Sequence, residues 1–105
     1  MGKQGRPNGS RVRQNLIEIL FRKKKAYGYE LYKAYCGIFP EVTLRVVYYH
    51  LKKGASLGEF KIEEIKAEKG KYSWGDTSEK IYYSLGPQAK PAGDKRVDEF
   101  FAKEN

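Results

Sequence analysis

The side chains best spaced to do chemistry are cations at helical intervals. Arg45, Tyr49 and Lys52 stand at i, i+4 and i+7 in the run Thr43-Leu44-Arg45-Val46-Val47-Tyr48-Tyr49-His50-Leu51-Lys52-Lys53, a spacing that lines one face of a helix. Val46, His50 and Lys53 flank them. A cationic helical face can enter a major groove, with Arg45 reading base edges and the lysines touching phosphates. The plainer reading is an ordinary solvated face. A second set, Lys3, Arg6, Arg11 and Arg13, lies among Gly2, Gly5 and Gly9 near the N-terminus, where guanidinium forks suit phosphate oxygens; its plainer reading is a solvated tail. A third set, Lys23, Lys24 and Lys25, either complements the dipole at a helix C-terminus or adds to binding.

Catalysis finds little support. His50 is the sole histidine and Cys36 the sole cysteine, so a cysteine-based zinc cluster and an internal disulfide are both excluded. Cys36 reads as a small buried hydrophobe. Glu63 and Glu64 are adjacent on a presumed strand, where neighbours point to opposite faces. Gly5-Arg6-Pro7-Asn8-Gly9-Ser10 lacks the Lys-Ser/Thr element of a phosphate-binding loop, and no strand precedes it. The expectation is a non-enzymatic chain with no cofactor, no metal and no small-molecule substrate.

Charge is unevenly distributed. Residues 1–53 carry 12 Lys and Arg against three Glu, a net of +9, whereas residues 54–105 have a net of −1. A one-sided excess repels itself on folding and calls for a polyanionic partner. No stretch pairs a basic face with a strongly apolar one, which argues against a membrane surface. No apolar run approaches the roughly 18 residues of a membrane span, and Lys3 and Arg6 are not followed by the apolar segment of a signal peptide. A cytoplasmic chain is the expectation.

These side chains need elements to hold them. Residues 1–9 cannot offset their ordering entropy by burial and are expected to be a flexible basic arm. Ser10 is placed to cap a first helix to about Lys24, with Val12, Leu16, Ile19 and Leu20 on one face. Tyr27-Gly28-Tyr29 breaks that pattern. A short second helix then carries Leu31, Tyr32 and Tyr35 and ends at Gly37. Thr43 caps a third helix whose Leu44, Val47, Tyr48 and Leu51 face inward; Gly54 interrupts it and Gly58 closes it. Phe60, Ile62 and Ile65 begin one strand, and Ile81, Tyr82, Tyr83 and Leu85 form another. About a dozen residues join them as a long hairpin tip containing Tyr72 and Trp74. These two aromatics suit stacking on bases, docking on a protein or folding back on the hairpin. Residues 87–105 read as a linker and a short last helix capped by Asp94, carrying Val97, Phe100 and Phe101.

Three helices, two strands and a helix make an α+β winged helix-turn-helix: a three-helix core in residues 10–86, a β-hairpin wing and a short C-terminal helix. Tyr27-Gly28-Tyr29-Glu30-Leu31, the Thr43-capped run and Leu57-Gly58-Glu59-Phe60 resemble the PadR-like and ArsR-like winged-helix families over about residues 10–86. The departure is Gly54, where those families usually place a core leucine. The resemblance implies a regulator reading double-stranded DNA, often as a dimer through a longer C-terminal helix than this one. Against that stand the Gly/Arg arm, the near-neutral wing and an exposed Tyr49 and His50, which suit splayed RNA bases. Small basic domains with such arms also resemble accessory proteins of archaeal ribosomes. The residues lean narrowly to structured rRNA, with ribosomal proteins as neighbours, and DNA-binding regulation is the alternative.

Overall fold

The computed structural model describes residues 8–72 and 75–104. Its elements are α1 (Asn8–Lys23), β1 (Ala26–Tyr27), α2 (Gly28–Ile38), α3 (Leu44–Ser56), β2 (Phe60–Tyr72), β3 (Gly75–Leu85) and α4 (Lys95–Glu104). The core forms where their apolar faces meet: Leu16, Ile19 and Leu20 of α1, Leu31 of α2, and Val47 and Leu51 of α3 are fully buried. Ala26, Phe60 and Tyr83 close the core from the sheet and Val97 and Phe101 from α4. Each fully buried aliphatic side chain contributes about 1.5–3 kcal/mol relative to its exposed state.

Local chemistry sets the boundaries of these helices. Tyr27 is extended, and its N–H donates to Glu30 Oε1 at 3.3 Å, so Glu30 satisfies a donor left open at the start of α2. The Thr43 hydroxyl accepts from the Val46 N–H at 3.2 Å and caps α3. At the other end, Glu59 N–H reaches Gly54 O (2.8 Å) and Gly58 N–H reaches Ala55 O (3.3 Å). This pair of bonds is a Schellman motif, with Gly58 at φ +82° supplying the left-handed residue it needs. Asp94 caps α4 by accepting from the Arg96 N–H at 2.8 Å. The Arg96 guanidinium binds the same carboxylate, which lies below the usual carboxylate range chiefly for that reason.

The sheet is antiparallel in the order β1-β3-β2. Ala26 pairs with Tyr83 and Tyr27 with Tyr82. β2 and β3 pair from Phe60↔Leu85 out to Tyr72↔Gly75, with Glu63 the extra residue of a bulge between Ile62 and Glu64. The expected dozen-residue tip is therefore mostly strand. Repeated cross-strand pairing carries the ladder through Glu68↔Ser78 and Lys69↔Thr77, past the expected break at Lys69 and Gly70.

Several expectations need correction. α1 starts at Asn8, so Asn8 and Gly9 belong to a helix rather than the arm, and Ser10 lies inside the helix instead of capping it. Gly37 lies within α2, which ends one residue later with Phe39 N–H bonded to Tyr35 O at 2.8 Å. Tyr48 is 46% exposed rather than inward. Cys36 is only partly buried, its thiol directed at the Val42 carbonyl. β1 is too short to leave any periodic signal. No helix among the described residues is long and apolar enough to cross a membrane, and no group of three or more His, Cys, Asp or Glu among them could hold a metal.

Candidate nucleic-acid interface

Burial of Val47, Leu51 and Gly54 against the core fixes which side of α3 faces out. At 3.6 residues per turn the opposite side carries Arg45, Tyr48, Tyr49 and Lys52, with Lys53 at its edge. All five are exposed, and the first four, with Leu44, line one shallow depression. α3 contains no Asp or Glu. Arg45, Lys52 and Lys53 have no carboxylate partner among the described residues. The expected Arg45–Tyr49–Lys52 row is thus brought together, with Tyr48 added. Its i+3 spacing from Arg45 was the available signal, masked by its aromatic character.

His50 is not on this face. It is 6% exposed, its Nδ1 lies 3.3 Å from Arg13 Nη1, and its ring meets Tyr49 edge-on at 4.8 Å. Burial, then the neighbouring guanidinium, lowers its pKa. The cause is geometric: His50 is three residues from Val47 and four from Gly54, on the buried side. Arg13 is also withdrawn from the surface, because its Nε donates to Glu59 Oε1 at 2.8 Å and ties α1 to the start of β2.

The lysine run also divides. Lys23 pairs with Glu30 at 2.8 Å and lies over the Phe101 ring, joining α1 to α2 and α4. Lys24 takes φ 77° just past α1 and lies over Phe21. Lys25 donates to Glu64 at 2.6 Å and lies over Tyr82; that hydrogen bond raises the lysine pKa and lowers the glutamate's. Two of the three are thus occupied in holding the fold. Arg11 is exposed on α1. Lys3, Arg6 and Trp74 lie outside the described residues, as does the side chain of Tyr72.

Sequence reasoning passed over Glu18. It is 5% exposed and accepts from Gln14 Nε2 (2.8 Å), Ala92 N–H (2.8 Å) and Gly93 N–H (2.9 Å). A buried carboxylate with three donors is well satisfied, and here it fastens the segment before α4 to α1. The only hint in the sequence is an acidic residue among the apolar positions of α1.

No protein-family model and no curated protein matches the chain. Among solved structures it is similar to a PadR family transcription regulator from hypervirulent Clostridium difficile R20291. That similarity has a TM-score of 0.53 and 22% identity, over 89% of this chain and 82% of that one. At this identity the two share a fold, a mixed α+β arrangement of four helices and a three-stranded antiparallel sheet that is consistent with a winged helix.

Proposed function

We propose that the chain is a non-enzymatic, double-stranded-DNA-binding protein of the transcription-regulator kind, with α3 as its recognition helix. The observation that carries this reading is the acid-free outer face of α3. Arg45, Lys52 and Lys53 are exposed without carboxylate partners among the described residues, while Arg13, Lys23 and Lys25 are each paired with a glutamate of the fold. A cationic helix about 10–12 Å across with its side chains fits a major groove about 12 Å wide. Arg45, one residue into α3, is placed as recognition helices place their base-reading residues, near the N-terminus. Lys52 and Lys53, about two turns on, suit the phosphates.

The lean to structured RNA loses one of its supports, because His50 is packed against Arg13 instead of being offered to splayed bases. The similar solved structure, a transcription regulator, favours DNA as well. Fluorescence anisotropy with a mixed-sequence duplex and a structured RNA hairpin of equal length separates the two. The expected result is tighter binding to the duplex, weakened by Lys52→Ala and Lys53→Ala and unaffected by Lys23→Ala and Lys25→Ala. Preference for the hairpin would reinstate the RNA reading. Selection from a randomised duplex pool, repeated with Arg45→Ala, tests base reading: a sequence preference that vanishes in the variant assigns it to Arg45.

A further inference from the structure

The side chains of α3 can read only some bases. In a major groove, Asn or Gln reads adenine, Asp or Glu reads cytosine and Arg or Lys reads guanine, while an apolar contact reads the 5-methyl group of thymine. The helix Leu44–Ser56 contains no Asn, Gln, Asp or Glu. The Thr43 hydroxyl is engaged with the Val46 N–H and the Ser56 hydroxyl with the Lys53 carbonyl. His50 is buried beside Arg13. Cations and tyrosine rings are what the outer face has left to offer.

The depression on that face combines the two. Leu44, Tyr48 and Tyr49 give it apolar surface, and Arg45 and Lys52, about two turns apart, give it charge. Both rings are braced from behind. Tyr48 lies against Gly28, where a Cβ would come within 2.3 Å of the tyrosine Cε1. Tyr49 meets the buried His50 ring edge-on at 4.8 Å, yet stays 58% exposed. A ring held in this way loses little freedom when it binds. Tyr49 follows Arg45 by four residues, about 6 Å along the helix axis. Base pairs succeed one another about every 3.4 Å. For a helix lying along the groove, these two side chains therefore address positions about two base pairs apart.

We propose that α3 selects a thymine by its 5-methyl group, buried against the ring of Tyr49, about two base pairs from a guanine held by Arg45. The guanidinium donates to guanine O6 and N7, and the tyrosine ring shields the methyl from water. Burying one methyl group is worth about fourfold in affinity. The proposal rests on α3 being the recognition helix of a DNA-binding protein, and adds which bases that helix selects.

The test enriches sites for the full chain from a randomised duplex pool, then replaces each thymine of an enriched duplex in turn by deoxyuridine, which removes only the methyl group. Enriched sites should share a guanine and a thymine about two base pairs apart, and replacing that thymine should weaken binding about fourfold. Tyr49→Ala, with its circular dichroism unchanged, should bind the thymine and uracil duplexes equally, whereas Tyr49→Phe should keep the difference. At the same position, 5-methylcytosine should bind about fourfold more tightly than cytosine. The proposal is overturned if no deoxyuridine replacement matters, if the difference survives in Tyr49→Ala, or if cytosine and 5-methylcytosine bind alike. Tighter binding of 5-methylcytosine than of thymine would also overturn it, by making the modified base the one selected. Failure of the DNA reading has a different signature, a duplex affinity indifferent to Lys52→Ala and Lys53→Ala. Lysine-dependent binding with no enriched sequence would uphold the DNA reading and overturn base selection by α3.

Discussion

The ring of Phe60 occupies the space that a side chain at Gly54 would need. A Cβ at position 54 would lie 2.3 Å from Phe60 Cδ2 and 2.5 Å from Cε2. A leucine expected of the third helix is replaced by a ring arriving from the start of β2. Phe60 is 2% exposed, so the space is filled and the core stays close-packed.

Gly54→Ala should therefore destabilise the fold by about 1–3 kcal/mol, since a methyl forced into a packed core displaces a ring. The change runs against helix propensity, which favours alanine over glycine by about 1 kcal/mol. Urea denaturation measures the balance. A more stable variant would show that the Phe60 ring yields freely.

His50 makes stability depend on pH. Its folded-state pKa lies below the ordinary value of 6.5, first through burial and then through Arg13. Above 6.5 both folded and unfolded chains hold the ring neutral. Below it the unfolded chain takes up a proton that the folded chain resists, so stability falls as pH drops from 6.5 through the folded-state pKa. Urea midpoints at pH 7.5 and 5.5 should differ more for the wild type than for His50→Gln, which keeps a neutral acceptor near Arg13. Equal differences would show that His50 is not the titrating group.

Much of this architecture is legible in the residues. Thr43, Gly58 and Asp94 act locally through caps and turns, and the helical faces of α1 and α3 follow from apolar spacing. What stays hidden depends on partners distant in sequence. Arg13 reads as a phosphate contact until Glu59, 46 residues away, is seen beside it. Lys25 does so until Glu64 is found opposite. Nothing local to Glu18 reveals that the amides of Ala92 and Gly93 will reach it. Charge patterning marks the basic half, but only the fold separates cations used internally from those on the outer face of α3.

Glu18→Ala should cost about 1–3 kcal/mol, because buried donors lose their acceptor. Amide hydrogen exchange at Ala92 and Gly93 should rise more than exchange in the core of α3. A uniform rise would instead indicate global destabilisation without a local fastening role.

The outer face of α3 is tested most directly by the salt dependence of duplex binding, with the wild type compared against Arg45→Gln/Lys52→Gln/Lys53→Gln. Each neutralised phosphate contributes about −0.9 to the slope of log K against log salt concentration. Removing all three cations should make that slope shallower by up to about 2.7 if each meets a phosphate, and by about 1.8 if Arg45 meets only bases. An unchanged slope, with the variant folded, would place the phosphate contacts elsewhere and contradict the assignment of α3.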